Sequence, residues 1–321
     1  MRRDCDHPGV APPAGTLATV SGSVGLSVTI SGLDRLFGDD LGAVVDVARQ
    51  ADELGVEQLV FPDHVAIGPR LDRYPYGARF PYPPSEPWLE PLTALAAIAG
   101  ATTHIRLGTG VLIAPLRPVL LLAKTVATLD VLSRGRVDLG IGTGWQREEF
   151  VEPGMGFVGR TQRMDDAIAA CRRLWSSEPP VTFESETISF SEIWSEPRPV
   201  QARIPIWYGG ALTSPMVERI ATLGDGWLPL GPTPAEVAVG IETLRRAFAE
   251  RGRGADELSV RVGLPVVVGD DGAVDVAASV TSVPDLAAMG VTAVSVALGR
   301  FIATRADIAP FLQNRVAEIN A

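Results

Sequence analysis

The chain has 321 residues, of which 46% are hydrophobic, and a formal net charge of −10 at pH 7. A barrel of alternating strands and helices reaches this length as a single domain. The negative charge and the lack of a basic stripe argue against nucleic acid or an anionic membrane surface as a partner. No apolar run approaches the roughly 20 residues that cross a bilayer, so no membrane span is expected.

The first 22 residues are rich in Pro, Ala, Gly and Thr and show no periodicity. This composition predicts a disordered extension in front of one domain over residues 23–321. The start of the chain carries charge but lacks the apolar stretch of a secretory signal. Cys5 and Cys171 are too few for a disulfide framework or a cysteine metal site. We therefore expect a cytoplasmic protein with free thiols and without a metal.

Strand and helix patterns alternate along the rest of the chain. Apolar and β-branched runs predict eight strands, at residues 25–30, 58–61, 105–113, 136–141, 204–208, 225–228, 260–268 and 291–298. Helical periodicity predicts helices at residues 40–54 (capped by Asp39 or Asp40), 92–101, 119–132, 163–175, 215–223, 234–251, 284–289 and 305–319. Residues 181–203 are predicted to form an inserted hairpin and connector.

Eight strand–helix units predict the α/β fold class, in the form of a closed parallel (β/α)8 TIM barrel. The alternative is an open doubly wound sheet. It is disfavoured because no Gly-x-Gly-x-x-Gly follows the first strand, whereas strands three, four and five all end in glycines.

Two Gly-Thr-Gly sequences, at 108–110 and 142–144, lie at the carboxyl ends of neighbouring predicted strands. Glycine permits close approach of the backbone to a ligand, and the carboxyl ends of barrel strands form the active site. Gly209 and Gly210, followed by a helix start, are a candidate phosphate cradle. Tight turns without a ligand are the alternative in each case.

Asp63 and His64 follow strand two directly. A histidine titrates near neutral pH and suits proton transfer, and Asp63 can accept a hydrogen bond from a ring hydroxyl or amide. The alternative is that both are ordinary polar loop residues. His7 and His104 lie outside the predicted strand ends.

A long loop, residues 62–91, contains several aromatic residues and prolines. Loops of this length in compact domains are usually functional, so this one is predicted to cover an apolar substrate or to pack on the barrel top. Trp145 is placed either to face a cofactor ring or to pack against this loop. The chain contains no P-loop, His-x-x-x-His pair or supported Ser-His-Asp set, which disfavours a hydrolase or a metalloenzyme.

Five segments together resemble the luciferase-like monooxygenase superfamily, in its branch that uses coenzyme F420, a deazaflavin. They are LVFPDHV (59–65), the Pro-rich loop with YPYG (74–77), the stretch from IRLGTGVLIAPLRP to GIGTGWQREEF (105–150), IPIWYGG (204–210) and LGDGWLP (223–229). The resemblance implies a TIM barrel of the bacterial-luciferase type, with insertions at its C-terminal face, that holds the deazaflavin there. It also implies a small-molecule substrate and a homodimer.

The resemblance assigns roles to individual residues. It makes His64 the catalytic group near the reactive ring carbon and Asp63 a ring contact. It places a non-prolyl cis peptide at Gly110–Val111, in a bulge behind the ring. The full set of implied cofactor-binding residues is Asp63, Gly110, Val111, Ile113, Gly142, Thr143, Gly144, Trp145, Gly209 and Gly210.

Two departures from the alcohol and sugar-phosphate dehydrogenases of this branch bear on the chemistry. Those enzymes have a Glu where this chain has Trp145, and a Trp where it has Gly68. The expected function is therefore hydride transfer between F420 and a small, largely apolar organic substrate. An FMN-dependent monooxygenase and a barrel that binds a flavin or deazaflavin without catalysis are the alternatives.

Overall fold

The computed structural model describes residues 24–77 and 79–319. The predicted extension over residues 1–22 lies outside them. The main sheet contains nine strand segments: β1 Gly25–Thr29, β2 Gln58–Phe61, β3 Arg106–Thr109, β4 Leu112–Ile113, β5 Val137–Gly142, β8 Ile206–Gly209, β9 Gly226–Leu228, β10 Ser259–Gly263 and β13 Ala293–Ala297.

All neighbouring strands of this sheet are parallel, and the sheet closes on itself. β1 pairs with β13 in the register Gly25 to Ala293, and β3 pairs with β5 in the register Leu107 to Val137. β4 continues the course of β3 after a break and also pairs with β5. The result is a closed barrel of eight strands, which confirms the predicted fold class.

Helices cover the outside of the barrel and pack on one apolar core. They are α1 Leu33–Phe37, α2 Val44–Glu53, α3 Pro91–Ala99, α4 Val119–Ser133, α5 Glu148–Val151, α6 Arg160–Ser176, α7 Ser214–Leu223, α8 Pro234–Ala249, α9 Val276–Val280, α10 Val283–Met289, α11 Leu298–Phe301 and α12 Ile308–Ile319. Among the residues described here, no helix is long and apolar enough to span a membrane.

Two antiparallel hairpins interrupt the alternation of strands and helices. β6 Val181–Glu184 pairs with β7 Ser189–Ile193, within the segment predicted as an insertion. β11 Val267–Val268 pairs with β12 Val274–Asp275. The prediction of one strand over residues 260–268 was therefore wrong. The barrel strand ends at Gly263, and Val267 and Val268 further along the same apolar run belong to the second hairpin.

The predicted start of α2 was also wrong. Asp40 makes no side-chain capping bond, and one turn of 3-10 helix at Leu41–Ala43 precedes α2. Side-chain caps do begin three later helices. Glu90 accepts the Thr93 N–H before α3, Thr213 accepts the Met216 N–H before α7, and Thr233 forms a capping box with Glu236 before α8.

The amino ends of the strands carry a group of charges that includes Glu57. Burial raises the pKa of Glu57 to about 7, the Asp138 carboxylate adds to this rise, and Arg106 opposes it. Arg106 donates to both oxygens of Asp138, at 2.8 and 2.5 Å. Arg106 therefore pairs with Asp138, and the ionised form of Glu57 is left beside a second carboxylate and is destabilised.

The raised pKa of Glu57 predicts that the free energy of unfolding falls as the pH rises from 4.5 to about 7. The unfolded carboxyl, with a pKa of 4.5, releases its proton earlier than the folded one. Stability is then full below pH 4.5, decreases by at most about 3 kcal/mol as the pH rises from 4.5 to about 7, and is constant above that. Glu57→Gln removes this decrease, which urea unfolding at pH 5 and pH 8 measures. Glu53→Gln, on the exposed side of α2, is the control; an unchanged pH dependence in Glu57→Gln contradicts the assignment.

Candidate active site

A cavity of about 420 Å³ opens at the carboxyl ends of the barrel strands, beneath the long loop after β2. This volume lies within the range of small-molecule sites, and most of the lining side chains are apolar or aromatic. Ten of the eleven predicted site residues line it: Asp63, His64, Gly110, Val111, Ile113, Gly142, Thr143, Gly144, Trp145 and Gly209.

Gly210 is the predicted site residue that does not line the cavity. Its N–H donates to the Leu228 carbonyl at 3.0 Å, and its carbonyl accepts from Trp227 Nε1 at 2.9 Å. Its φ of +140° is a conformation that side chains rarely adopt. Both backbone groups therefore serve the junction between β8 and β9.

The floor of the cavity is formed where β3 breaks. The peptide bond between Gly110 and Val111 is cis, as the resemblance implied. The Val111 side chain lies between two other strand ends. A Cβ added to Gly142 would come within 2.7 Å of Val111 Cγ2, and one added to Gly209 within 2.6 Å of Val111 Cγ1. These two glycines are therefore required by the packing of Val111 as well as by any ligand.

His64 is held by a buried carboxylate that sequence analysis did not identify. Its Nδ1 lies 3.2 Å from Glu149 Oε2, and the Glu149 side chain is completely buried. Glu149 also accepts the Val65 N–H at 2.6 Å. Glu149 lies in α5, the short helix that follows the loop after β5. The carboxylate that is missing at position 145, next to the second Gly-Thr-Gly, thus has a counterpart four residues later, in contact with His64.

A side-chain amide ties the same two loops together. Gln146 accepts the Gly68 N–H at 2.9 Å and donates to the Gly68 carbonyl at 3.0 Å. A Cβ added to Gly68 would lie 2.6 Å from the Glu148 Cβ. The departure at Gly68 therefore has a structural cause, because any side chain there would collide with α5.

Asp63 is engaged by the protein itself. It accepts hydrogen bonds from the Ile113 N–H at 2.8 Å and from Arg117 at 2.6 and 3.1 Å. Arg117 was not identified from the sequence, because nothing in its local pattern distinguishes it. These bonds anchor β4 and the 3-10 turn that follows it to the end of β2, and they leave Asp63 as part of the cavity wall.

Aromatic side chains from the long loop surround the His64 ring. Phe80 and Trp88 lie 5.2 and 4.9 Å from it between ring centroids, both in edge-to-face geometry, and Trp145 lies at 6.1 Å. Tyr74 packs on Phe80 and on Trp145. The loop aromatics and Trp145 therefore pack against each other and line the cavity at the same time. Water is largely excluded around one face of His64.

One permanently cationic side chain lines the cavity. Arg160, the first residue of α6, donates to the Gly144 carbonyl at 3.0 Å and packs 3.8 Å above the Phe157 ring. Burial lowers its pKa, and Arg163 adds to this. Within residues 24–77 and 79–319 it forms no ion pair with a carboxylate. An anionic part of a ligand would supply the missing partner.

Other candidate groups lie away from this site. His104 is exposed and contacts Thr103 ahead of β3, and Cys171 is a buried free thiol in α6. Across the part of the chain that the structure describes, no group of three or more His, Cys, Asp or Glu residues is placed to hold a metal ion.

The sequence matches known proteins over most of its length. An uncharacterised protein of Mycobacterium tuberculosis is 32% identical over 240 residues, which cover 74% of this chain and 82% of that protein. An F420-dependent glucose-6-phosphate dehydrogenase of Kineococcus radiotolerans is 32% identical over 195 residues, 58% of this chain and 52% of that enzyme. The oxygenase component of a flavin-dependent trigonelline monooxygenase of Acinetobacter baylyi is 35% identical over 120 residues, 36% and 33% of the two chains.

Solved structures share the fold at low sequence identity. The monooxygenase RslO1 from Streptomyces bottropensis superposes with a TM-score of 0.72 at 21% identity, covering 92% of this chain and 98% of that one. The coenzyme F420-dependent tetrahydromethanopterin reductase from Methanopyrus kandleri superposes with a TM-score of 0.66 at 18% identity, with the same coverage. The family model of luciferase-like monooxygenases matches residues 15–302. The chain therefore belongs to the luciferase-like monooxygenase family, whose members are oxidoreductases and monooxygenases.

Proposed function

We propose that this protein is a coenzyme F420-dependent oxidoreductase that transfers a hydride between the deazaflavin and a small, largely apolar organic substrate. The observation that carries the proposal is the position of His64, which a buried carboxylate holds at the wall of an aromatic cavity. Similarity to an F420-dependent dehydrogenase over 195 residues supports the choice of cofactor.

The residues at the cavity fit a planar ring with an anionic tail. Gly110 and Val111 offer a floor for the ring, and the neighbouring Gly142 and Gly209 add no Cβ beside Val111. Arg160 offers a positive charge beside Gly144, toward the cavity edge. When bound, the deazaflavin would supply the carbon that accepts or gives up the hydride.

His64 would move the proton that accompanies hydride transfer. Its Nδ1 faces the Glu149 carboxylate, so a neutral ring carries its proton on Nδ1 and donates it to Glu149. Nε2 is then an acceptor on the opposite side of the ring. Glu149 acts through His64 and is a positioning residue, like the Asp of other carboxylate–histidine pairs.

The aromatic wall points to the substrate class. Phe80, Trp88 and Trp145 surround the His64 ring, and the carboxylate of Asp63 is already paired with Arg117. A substrate that fits this space is small and mainly apolar, with one polar group within reach of His64. Carbonyl compounds and enones have this character.

An FMN-dependent monooxygenase is the second candidate. It is favoured by the similarity to the oxygenase component of a flavin-dependent monooxygenase. Both cofactors have a three-ring system and an anionic tail, so the floor and Arg160 suit either one.

Cofactor titration separates the two candidates. We expect the purified protein to bind F420 at least tenfold more tightly than FMN, as measured by fluorescence quenching of each cofactor at equilibrium. Tight binding of FMN without binding of F420 would overturn the proposal in favour of the monooxygenase. Binding of F420 without turnover on any carbonyl or enone tested would instead indicate a barrel that stores the cofactor.

Replacement of His64 tests its role in proton transfer. His64→Ala is expected to lower turnover by about 10²–10⁴-fold while the dissociation constant for the cofactor stays within a factor of a few, because proton transfer is lost but the floor is intact. Turnover is followed as oxidation of reduced F420 by the panel of carbonyls and enones. His104→Ala, a change at an exposed histidine outside the cavity, serves as the control. Full turnover in His64→Ala would remove His64 from the mechanism.

The tautomer of His64 can be observed directly. Nitrogen-15 NMR of the histidine rings is expected to show the neutral His64 ring with its proton on Nδ1, since that atom faces Glu149. Glu149→Gln weakens the preference, because an amide can turn to donate as well as to accept. The His64→Asn variant assigns the resonance. A proton on Nε2 in the unmodified protein would contradict the arrangement.

A further inference from the structure

A buried guanidinium lies directly beneath the floor of the cavity. Arg261, in β10, is 7% exposed, and its Nη1 donates to Gln58 Oε1 in β2. A Cβ added to Gly110 would come within 3.1 Å of Arg261 Nη2. Gly110 itself lines the cavity, so only the backbone of this one residue separates the guanidinium from the space above the floor.

The charge of Arg261 is not neutralised by a direct partner. Among the described residues no carboxylate oxygen lies within ion-pair distance of it. Gln58 stands between Arg261 and Asp138, since its Nε2 donates to Asp138 at 2.7 Å. Asp138 is already bound by both arms of Arg106. Below the floor, the guanidiniums of Arg106 and Arg261 therefore face one carboxylate, Asp138, which is bound directly by Arg106 and reaches Arg261 only through Gln58.

Burying a cation without a partner is costly. Burial lowers the pKa of Arg261 to about 10, which leaves it charged at neutral pH. A folded chain tolerates such a group either for packing or for the field that it produces. Packing alone does not require a charge here, because the surroundings include the Trp207 ring, 5.2 Å from the guanidinium, and the Val60 side chain, which also crowds Gly110.

We propose that Arg261 is a positioning residue that stabilises negative charge on the ring bound at the floor. A positive charge one backbone layer below the ring favours an anionic form of the ring over a neutral one, and the low polarity of the interior strengthens the effect. The identity of the ring rests on the proposed function. The field itself rests on Arg261, Gln58 and Gly110.

The nearby charges define the direction of the effect. Asp138 and Glu57 oppose Arg261 from the amino side, and Arg106 supports it, whereas Arg117 at the wall is shared between the carboxylates of Asp63 and Glu90. Arg261 is the cation that adjoins the floor, so its sign dominates there. His64 stands at the wall of the cavity and is not part of this network.

The ring hydroxyl of oxidised F420 provides the test. Its deprotonation places negative charge on the ring and changes the visible absorbance of the cofactor. We expect the acid dissociation constant of this hydroxyl to be at least tenfold larger in the complex than in free F420. In the Arg261→Gln complex we expect it to be at least tenfold smaller than in the complex of the unmodified protein. Arg261→Lys keeps the charge and retains most of it. A pH titration of the bound absorbance measures each value.

Arg136→Gln is the matched control. Arg136 is also a buried arginine without an ion-pair partner among the described residues, but it binds the carbonyls of Ala99, Thr102 and Ile105 at the opposite end of the barrel. It is expected to leave the dissociation constant unchanged. If Arg261 were purely structural, Arg261→Gln would change the affinity for F420 and leave the acid dissociation constant of the bound ring unchanged. That result would overturn the inference.

Two further arms keep the test decisive. If Arg261→Gln does not fold, Asp138→Asn removes a charge that opposes Arg261. We then expect the acid dissociation constant of bound F420 to be larger than in the unmodified protein; an unchanged or smaller one counts against the inference.

If the protein binds FMN and not F420, the proposed function has failed. Arg261 is then tested by the ratio of dissociation constants for oxidised and reduced FMN, which Arg261→Gln should lower about tenfold because the reduced ring is the anionic one; an unchanged ratio overturns the inference.

Discussion

The buried carboxylate of Glu149 is the constraint on which the site depends. A carboxylate without water must be fully hydrogen-bonded, and Glu149 meets this demand with His64 Nδ1 and the Val65 N–H. The loop after β2 and the helix after β5 are thereby fixed to each other, and Gln146 reinforces the link through Gly68. His64 keeps one orientation because the loop that carries it is held at its backbone as well as at its ring.

The floor imposes a second constraint, which links β3, β5 and β8. Val111 occupies the space that Cβ atoms of Gly142 and Gly209 would need, so three strand ends meet at one side chain. The glycines predicted as ligand contacts thus have a packing role that holds whether or not a ligand is bound. In this barrel the same residues make the floor flat and make it rigid, which is the preorganisation that a planar cofactor requires.

Strand positions could be predicted because buried parallel strands are continuous apolar runs. Asp63, His64 and the Gly-Thr-Gly sequences could be selected because they follow such runs at the end of the barrel where active sites lie, whereas Val111 and Ile113 came only from the family resemblance. Glu149, Arg117 and Arg160 could not be selected. The partners of Glu149 and Arg117 lie 85 and 54 residues away, and no local pattern identifies them. The end of β10 at Gly263 was missed for a similar reason: residues 264–268 form one apolar run, but Leu264 still donates to Ser295 of β13, whereas Val267 and Val268 pair with β12 in a separate hairpin.

The distribution of charge separates this site from the rest of the molecule. The chain has a net charge of −10, yet Arg160 lines the cavity, Arg261 lies beneath its floor, and Asp63 at its wall is paired with Arg117. The acidic surface as a whole does not attract anions, but Arg160 and Arg261 attract them within the cavity. Their effect is strong there because the dielectric constant of the interior is low and little salt can screen them. A protein of this composition can therefore bind an anionic cofactor, because the relevant field is set by a few buried groups and not by the total charge.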